Sequence, residues 1–350
     1  MKEENNYSGK PLAYLDQNIL DLFVKNFDED HSVYQFFKEN YQVVYSNTTL
    51  SEIYKAFLNS QDMSNCTKYL NVLTWLDAYH IRIACTEKFI FLNQCIISPL
   101  PVSQWFDQYV KNKKEWGFLD IHIYNQLLLS YQKEKDFDEL KREALQVYNK
   151  NLEIMHRACN ELKLFPRFKE QSEMMLKQVI DQKEVYEKSI DFMLSIIRKY
   201  ADTEKMSELF RNEIGVFPKH LNNIKAPNVI EKIWSLYKEK EGYKNFTIND
   251  FWTITINENI KGRELYNYEK VNIFYNMMNF IGFEQDTKID QIDGIQRSMS
   301  DFTHAQIASF CDFFFTHDKK LEIKTNAIYE YLGVNTKFGN INLRYKKAPD

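Results

Sequence analysis

The sequence predicts an α/β protein, and three observations carry that expectation. An apolar run, Pro11-Leu12-Ala13-Tyr14-Leu15, is closed by Asp16 and followed at once by helical spacing. Near the other end, the uncharged run Phe313-Phe314-Phe315-Thr316 lies between two helix-like stretches and is short enough for a buried strand. The 350 residues hold only 9 Gly and 7 Pro, which favours long helices and argues against a many-stranded β architecture.

In chain order, a strand over 12–15 leads through Asp16 into a helix carrying Ile19, Leu20, Phe23 and Phe27. Asp16 stands at the strand's carboxyl end, either as a plain helix N-cap or as a site residue. Tyr41 to Ser46 reads as a second strand, and Thr49-Leu50-Ser51-Glu52 opens a helix continuing through Ile53, Ala56 and Phe57. Glu52, three residues after Thr49, has the spacing of a capping box as well as that of a site carboxylate.

Residues 61–261 read as an all-helical insertion. Over 66–92 the apolar groups Leu70, Leu73, Trp75, Leu76, Tyr79, Ile83 and Phe89 come at mixed spacing. The clearest element is the stripe Phe137, Leu140, Ala144, Val147, broken at Asn151 and resumed at Met155 and Ala158. Pro166 ends it, and a second stripe includes Tyr186, Ile190, Met193 and Ile197. A short connection predicts an antiparallel helical hairpin over about 137–200, each arm roughly 45 Å long. Such a hairpin either covers its own domain or serves a homo-oligomer or a regulatory protein partner.

Further helices are expected over 227–242, with Pro227 at its start, and over 262–281, closed by Gly282 as a C-cap. Asp286, Asp290 and Asp293 follow in a polar loop that lacks the spacing of a calcium loop. A short helix over 301–311 then delivers the chain to the 312–316 strand. In an open parallel sheet the functional crevice lies outside the carboxyl ends of the strands, so Asp301, Asp312 and Asp318 flank a place where chemistry is commonly built.

Composition narrows the function. A formal charge of -4 gives no global nucleic-acid footprint, so any such contact must be local. From Thr316 to Asp350 there are seven basic and four acidic residues, among them Lys319, Lys320, Lys324, Lys337, Arg344, Lys346 and Lys347. Five scattered cysteines without a Cys-x-x-Cys pair fit reduced thiols in a cytoplasmic protein and offer no zinc site. The N-terminus lacks an apolar signal region, and the uncharged stretch 89–106 is a poor membrane span because it holds Asn93, Gln94, Pro99, Pro101 and Gln104. No membrane association is expected. There is no P-loop, dinucleotide fingerprint, zincin motif or nucleophile elbow. A haloacid-dehalogenase-like phosphatase would want Asp-x-Asp after the first strand, and here Gln17-Asn18 follows Asp16.

Asp301-x-x-His304-Ala305 and Asp312-Phe-Phe-Phe-Thr316-x-Asp318 resemble the C-terminal half of PIN-like nuclease domains. Lys324-x-x-Ala-Ile-Tyr329 and Gly333-Val-x-Thr336 are similar to the tail of bacterial members, and the Asp16 and Glu52 segments suit the family's opening. The resemblance covers about residues 11–60 and 265–345. It implies a PIN-like parallel-sheet core built from the two chain ends (1–60 and 262–350) around the insertion. It also implies catalytic carboxylates Asp16, Glu52, Asp301 and Asp318, with Asp312 joining them as a metal ligand.

Oxygen ligands without His or Cys suit Mg²⁺ or Mn²⁺. The implied activity is endonucleolytic hydrolysis, of RNA ahead of DNA, leaving a 5′-phosphate and a 3′-hydroxyl. Bacterial proteins of this shape look like toxins or antiviral defence effectors. Thr316, His317, Lys319, Lys320 and Lys324 are the candidate substrate contacts, Thr316 having the alternative of an ordinary strand-end threonine, while His304 reads as structural. The competing expectation is a catalytically silent helical scaffold with a PIN-like core.

Overall fold

The computed structural model describes residues 9–25, 32–86, 90–133, 136–162, 164, 169–201, 204–253 and 263–341. Phe27, Phe89, the turn at Pro166 and the basic residues Arg344, Lys346 and Lys347 lie outside them.

Six strands, Leu12–Leu15 (β1), Gln42–Tyr45 (β2), Tyr79–Cys85 (β3), Phe91–Ser98 (β4), Phe313–Phe315 (β5) and Lys337–Gly339 (β6), form one mixed sheet in the order β4-β3-β2-β1-β5-β6. β1 lies parallel to β2 on one side and to β5 on the other, with Ala13 opposite both Val43 and Phe313. β3 and β6 extend the parallel set, and β4 closes one edge antiparallel to β3. Strands covered on both faces read as unbroken apolar runs, and β1 and β2 are buried along their whole length.

Helices supply the crossovers that parallel pairing demands. Gln17–Lys25 and Ser32–Asn40 join β1 to β2, and Asn47–Ser60 and Met63–Trp75 join β2 to β3. Ile19, Leu20 and Phe23 meet Phe37, Ile53 and Leu73 in the core on one face of the sheet. Asn267–Ile281 and Ile292–Ala308 precede β5, and Lys319–Leu332 follows it. Gly282 ends the first of these at φ 91°, a left-handed C-cap that favours glycine. Gly339 admits a close approach instead: a Cβ there would lie 2.2 Å from the Phe315 ring.

The insertion is not all-helical. Tyr79, Ile81 and Ile83 alternate with His80 and Arg82 in a strand, and the uncharged stretch after them is β4. The parallel-sheet core thus gains an antiparallel edge hairpin from residues assigned to the insert. β6 is a further strand beyond the expected set, and the helix before β5 is longer than 301–311.

The chain divides into two compact units. The first comprises residues 1–114, 214–287 and 297–350 and contains the whole sheet; the second comprises 115–213 and 288–296. The core unit therefore reaches well into the span 61–261. In the second unit the helix Phe137–Leu162 runs antiparallel to Lys169–Asp181 and Lys183–Ala201. Arg198 lies 4.7 Å over the Phe137 ring, Lys141 pairs with Asp191 at 2.6 Å, and Tyr148 stacks on Tyr186 at 4.8 Å. The returning arm is two helices, interrupted at Gln182, rather than one. Among the described residues no helix is long and apolar enough to cross a membrane.

Candidate active site

β2 and the helices after β1 lie to one side of β1, and β5 lies to the other. The crevice beyond the carboxyl ends of β1 and β5 is therefore a switch point of the sheet, where ligand sites in open α/β folds form. Asp16 ends β1 there: its backbone N–H donates to the Phe315 carbonyl at 3.0 Å, tying the two strand ends together. Its carboxylate is almost fully buried. Oδ2 accepts from the Thr316 hydroxyl at 2.7 Å and from Asn18 Nδ2 at 2.5 Å, and Oδ1 accepts from Gln17 N at 2.7 Å. Gln17 is the first residue of the following helix, so the same side chain meets the helix entry and the strand-end crevice. Burial pushes the Asp16 pKa up; His304 opposes this and Glu52 adds to it.

Asp318 caps the next helix, with Oδ1 accepting from Leu321 N at 2.9 Å, while its own N–H donates to Thr316 Oγ1 at 3.0 Å. One threonine hydroxyl thus bridges the Asp16 carboxylate and the Asp318 backbone. Asp301 approaches from the helix Ile292–Ala308. Burial first, then the carboxylates of Asp286, Asp16 and Asp318, push its pKa well above the carboxylate range, against the opposing charge of Lys324.

Glu52 takes no part in helix capping. Ser46 is the N-cap and Thr49 completes the capping box, because the helix begins at Asn47, earlier than the Thr49 start read from sequence. That frees Glu52 to accept from Ser300 Oγ at 2.5 Å and from His304 Nε2 at 3.0 Å. Burial works to raise its pKa, but His304 and Ser300 outweigh that and hold it below the usual range. His304 is fully buried, with Nδ1 2.8 Å from the Tyr14 hydroxyl and Nε2 3.8 Å from Asp16 Oδ1. Although burial disfavours its charge, Tyr14, Glu52 and Asp16 together raise its pKa well above the ordinary imidazole value. An imidazolium donating from both nitrogens, to Tyr14 and to Glu52, satisfies this geometry.

Asp312 does not join the cluster. It precedes β5, and its Oδ2 accepts from Leu12 N at 2.8 Å at the amino end of β1, the opposite end of the sheet. Thr316 is buried, and its hydroxyl proton is committed to Asp16, which makes it a positioning residue rather than a substrate contact. Lys324 is fully buried and paired with Asp286 at 2.5 Å, so it offers no surface charge to a substrate. Lys319 is exposed beside Glu322, and Lys320 donates to the Gln285 carbonyl at 2.8 Å. His317 is exposed, with its backbone N–H donating to Asn18 Oδ1 at 2.9 Å and its Nε2 2.7 Å from the Ile341 carbonyl.

Three residues around this centre, Asn18, Asp286 and Ser300, have no role in the sequence reading, and His304, read there as structural, is the buried link between Tyr14 and Glu52. The spacing Ser300-Asp301-x-x-His304 was the available signal, since i and i+4 share a helix face.

Among the described residues no three His, Cys, Asp or Glu side chains converge as a ready-made ligand set. The donor chemistry of Asp16, Asp301 and Asp318 nonetheless fits a hard divalent cation, because like charges that raise an aspartate pKa are relieved by one. Glu52 fits less well: His304 and Ser300 already offset its charge and hold its pKa low, whereas Asp16, although both its oxygens accept hydrogen bonds, keeps a raised one. No protein-family model, no curated protein and no solved structure matches the chain.

Proposed function

We propose that the chain is a metal-dependent endonuclease that hydrolyses phosphodiester bonds, with RNA the first substrate to try. The observation that carries this reading is the bridging of Asp16 and Asp318 by the Thr316 hydroxyl at the β1/β5 switch point, with Asp301 near enough that the charges of both raise its pKa. A carboxylate left in that state is a standing demand for positive charge. When bound, Mg²⁺ or Mn²⁺ would lower the pKa of a water and balance charge on the leaving oxygen. Asp16, Asp301 and Asp318 would hold the ion. Thr316 and Asn18 fix the Asp16 carboxylate, and the Tyr14–His304–Glu52 chain holds an imidazolium behind it. Lys319 and His317 are the exposed groups beside Asp318 that can meet a phosphate backbone.

The test is incubation of purified protein with labelled RNA, single-stranded DNA and duplex DNA in Mn²⁺, Mg²⁺ or EDTA. Cleavage of RNA that EDTA stops supports the reading; no cleavage of any substrate in either metal defeats it. The closed Glu52–Ser300–His304 contacts favour a second reading, a catalytically silent core serving as an interaction scaffold, and that outcome would adopt it.

A further inference from the structure

The amino end of β5 carries a cavity of about 360 Å³ that the cleavage chemistry does not use. Two helices end on it. Ser309, Phe310 and Cys311 follow the helix Ile292–Ala308, Gly333 and Val334 follow Lys319–Leu332, and all five residues line the cavity. The last carbonyls of a helix carry partial negative charge, and neither helix has a basic residue in its last turn to answer it. Asp312 lines the same cavity; its Oδ2 accepts from Leu12 N, and its side chain is exposed. Among the described residues no Lys, Arg or His lines it. The helix Asn267–Ile281 brings its positive end there through Asn267 and Tyr268, but Glu269 in its first turn already caps it, accepting from Tyr266 N at 2.9 Å. Arg263 pairs with Glu269 at 2.8 Å. Two negative helix ends and a carboxylate leave the cavity electronegative.

We propose that this cavity binds a small organic cation, an alkylammonium or alkylguanidinium of a few carbon atoms. Its volume lies at the low end of ligand clefts, which run from about 300 to 1,000 Å³. One carboxylate suits a single positive charge, whereas a hard divalent ion takes several oxygen ligands at close range. Tyr268 and Phe310, whose rings lie 5.6 Å apart, add aromatic surface that attracts such a head group and covers its carbon chain. An inorganic ion would leave that aromatic wall unused. The site stands at the opposite end of β5 from the Asp16 crevice, and the assignment is independent of the nuclease reading.

Calorimetric titration of the purified chain with butylammonium and with ethylguanidinium, at an ionic strength of about 0.15 M, tests this without reference to cleavage. At least one of the two should bind at a single site per chain, with its neutral counterpart, butanol or ethylurea, about tenfold weaker or silent. The tighter of the two identifies the head group. Asp312→Asn keeps an acceptor for Leu12 N but removes the charge, and should weaken binding about tenfold. Phe310→Leu, a second variant read in the same way, should weaken it about threefold. Asp16→Asn should bind as the wild type does. A wild type that binds neither cation, neutral counterparts that bind equally, or an Asp312→Asn variant with wild-type affinity would overturn the proposal. So would binding lost in Asp16→Asn, which would move the cation to the carboxyl-end crevice.

Discussion

The two ends of the β1–β5 pair place aspartates in opposite circumstances. At the amino end Asp312 is exposed and accepts a hydrogen bond from a backbone N–H, that of Leu12. At the carboxyl end Asp16 is buried among other carboxylates, and Asp301 close by is driven towards its neutral form. Each residue adjoins an apolar strand by one position, so local sequence hardly separates them. Strand direction separates them: parallel strands all deliver their carboxyl ends, and the helices that follow, to the same crevice. An aspartate after a strand therefore enters shared electrostatics, whereas one before it meets only its neighbour's backbone.

The sharpest way to break this contrast is to neutralise one aspartate from each end. Asp16→Asn should lower metal-dependent cleavage roughly 10²- to 10³-fold, the scale of removing one electrostatic contact to a transition state. Asp312→Asn, assayed on the same labelled RNA, should stay within about twofold of wild type. Equal losses would mean that the two ends are not chemically distinct.

His304 sharpens the carboxyl-end half of the comparison. His304→Gln leaves Glu52 buried without its cation and should cost about 3 kcal/mol in chemical denaturation. The pH dependence has a definite sign. A raised folded-state histidine pKa contributes stability below its ordinary value of about 6.5 and loses it as pH rises through the raised value. A lowered Glu52 pKa contributes above the ordinary carboxylate value and loses it as pH falls. The variant's deficit should therefore be largest between about pH 5 and 7 and shrink at both extremes. A deficit independent of pH would mean that His304 acts only by packing.

Much of the carboxyl-end site was legible in sequence because its parts have strong local signatures. β1 and β5 are uninterrupted apolar runs, as double-sided burial requires, with Asp16 directly beyond β1 and Asp318 three residues beyond β5. The edge hairpin was harder to read: β4 is largely unburied and carries Asn93 and Gln94, while the alternation of Tyr79, Ile81 and Ile83 with His80 and Arg82 in β3 is short and follows directly on the helical spacing of Leu70, Leu73 and Leu76. β6 is only three residues long. Lys324 was misplaced for a different reason. It was grouped with its lysine neighbours, although Leu321 and Ile328, three before and four after it, marked its face as buried. Asp286 could not be placed at all, since only the tertiary packing of a loop brings it to the cluster.

Asp301→Asn provides a subtler test, in stability rather than rate. Because the folded state holds the Asp301 proton more tightly than the unfolded state does, stability falls as pH rises between the ordinary carboxylate value and the raised one. The variant should thus be more stable than wild type at neutral pH in EDTA, by about 1–2 kcal/mol or roughly 2–4 °C in Tm. The gain should disappear below about pH 4, where aspartate is protonated in both states. Saturating Mn²⁺ should reverse the order, because wild type alone keeps the full ligand set. A lower Tm for the variant at neutral pH in EDTA would show that Asp301 is satisfied rather than frustrated.

The smallest effect belongs to the amino end. Asp312→Ala removes the acceptor for Leu12 N, a partly buried donor in the central pair of strands, and should cost about 1 kcal/mol. Asp312→Asn keeps a carbonyl acceptor in nearly the same place and should cost only a few tenths of that unit. Both variants should bind Mn²⁺ as wild type does, since the Asp312 side chain holds the strand end opposite to the metal-ligand candidates. Differential melts in EDTA and in Mn²⁺ separate the two contributions. If either variant weakened Mn²⁺ binding, the amino-end aspartate would be communicating with the site along β5, and the division between the two ends would be too sharply drawn. If Ala and Asn lost the same stability, the Leu12 hydrogen bond would not be what Asp312 supplies.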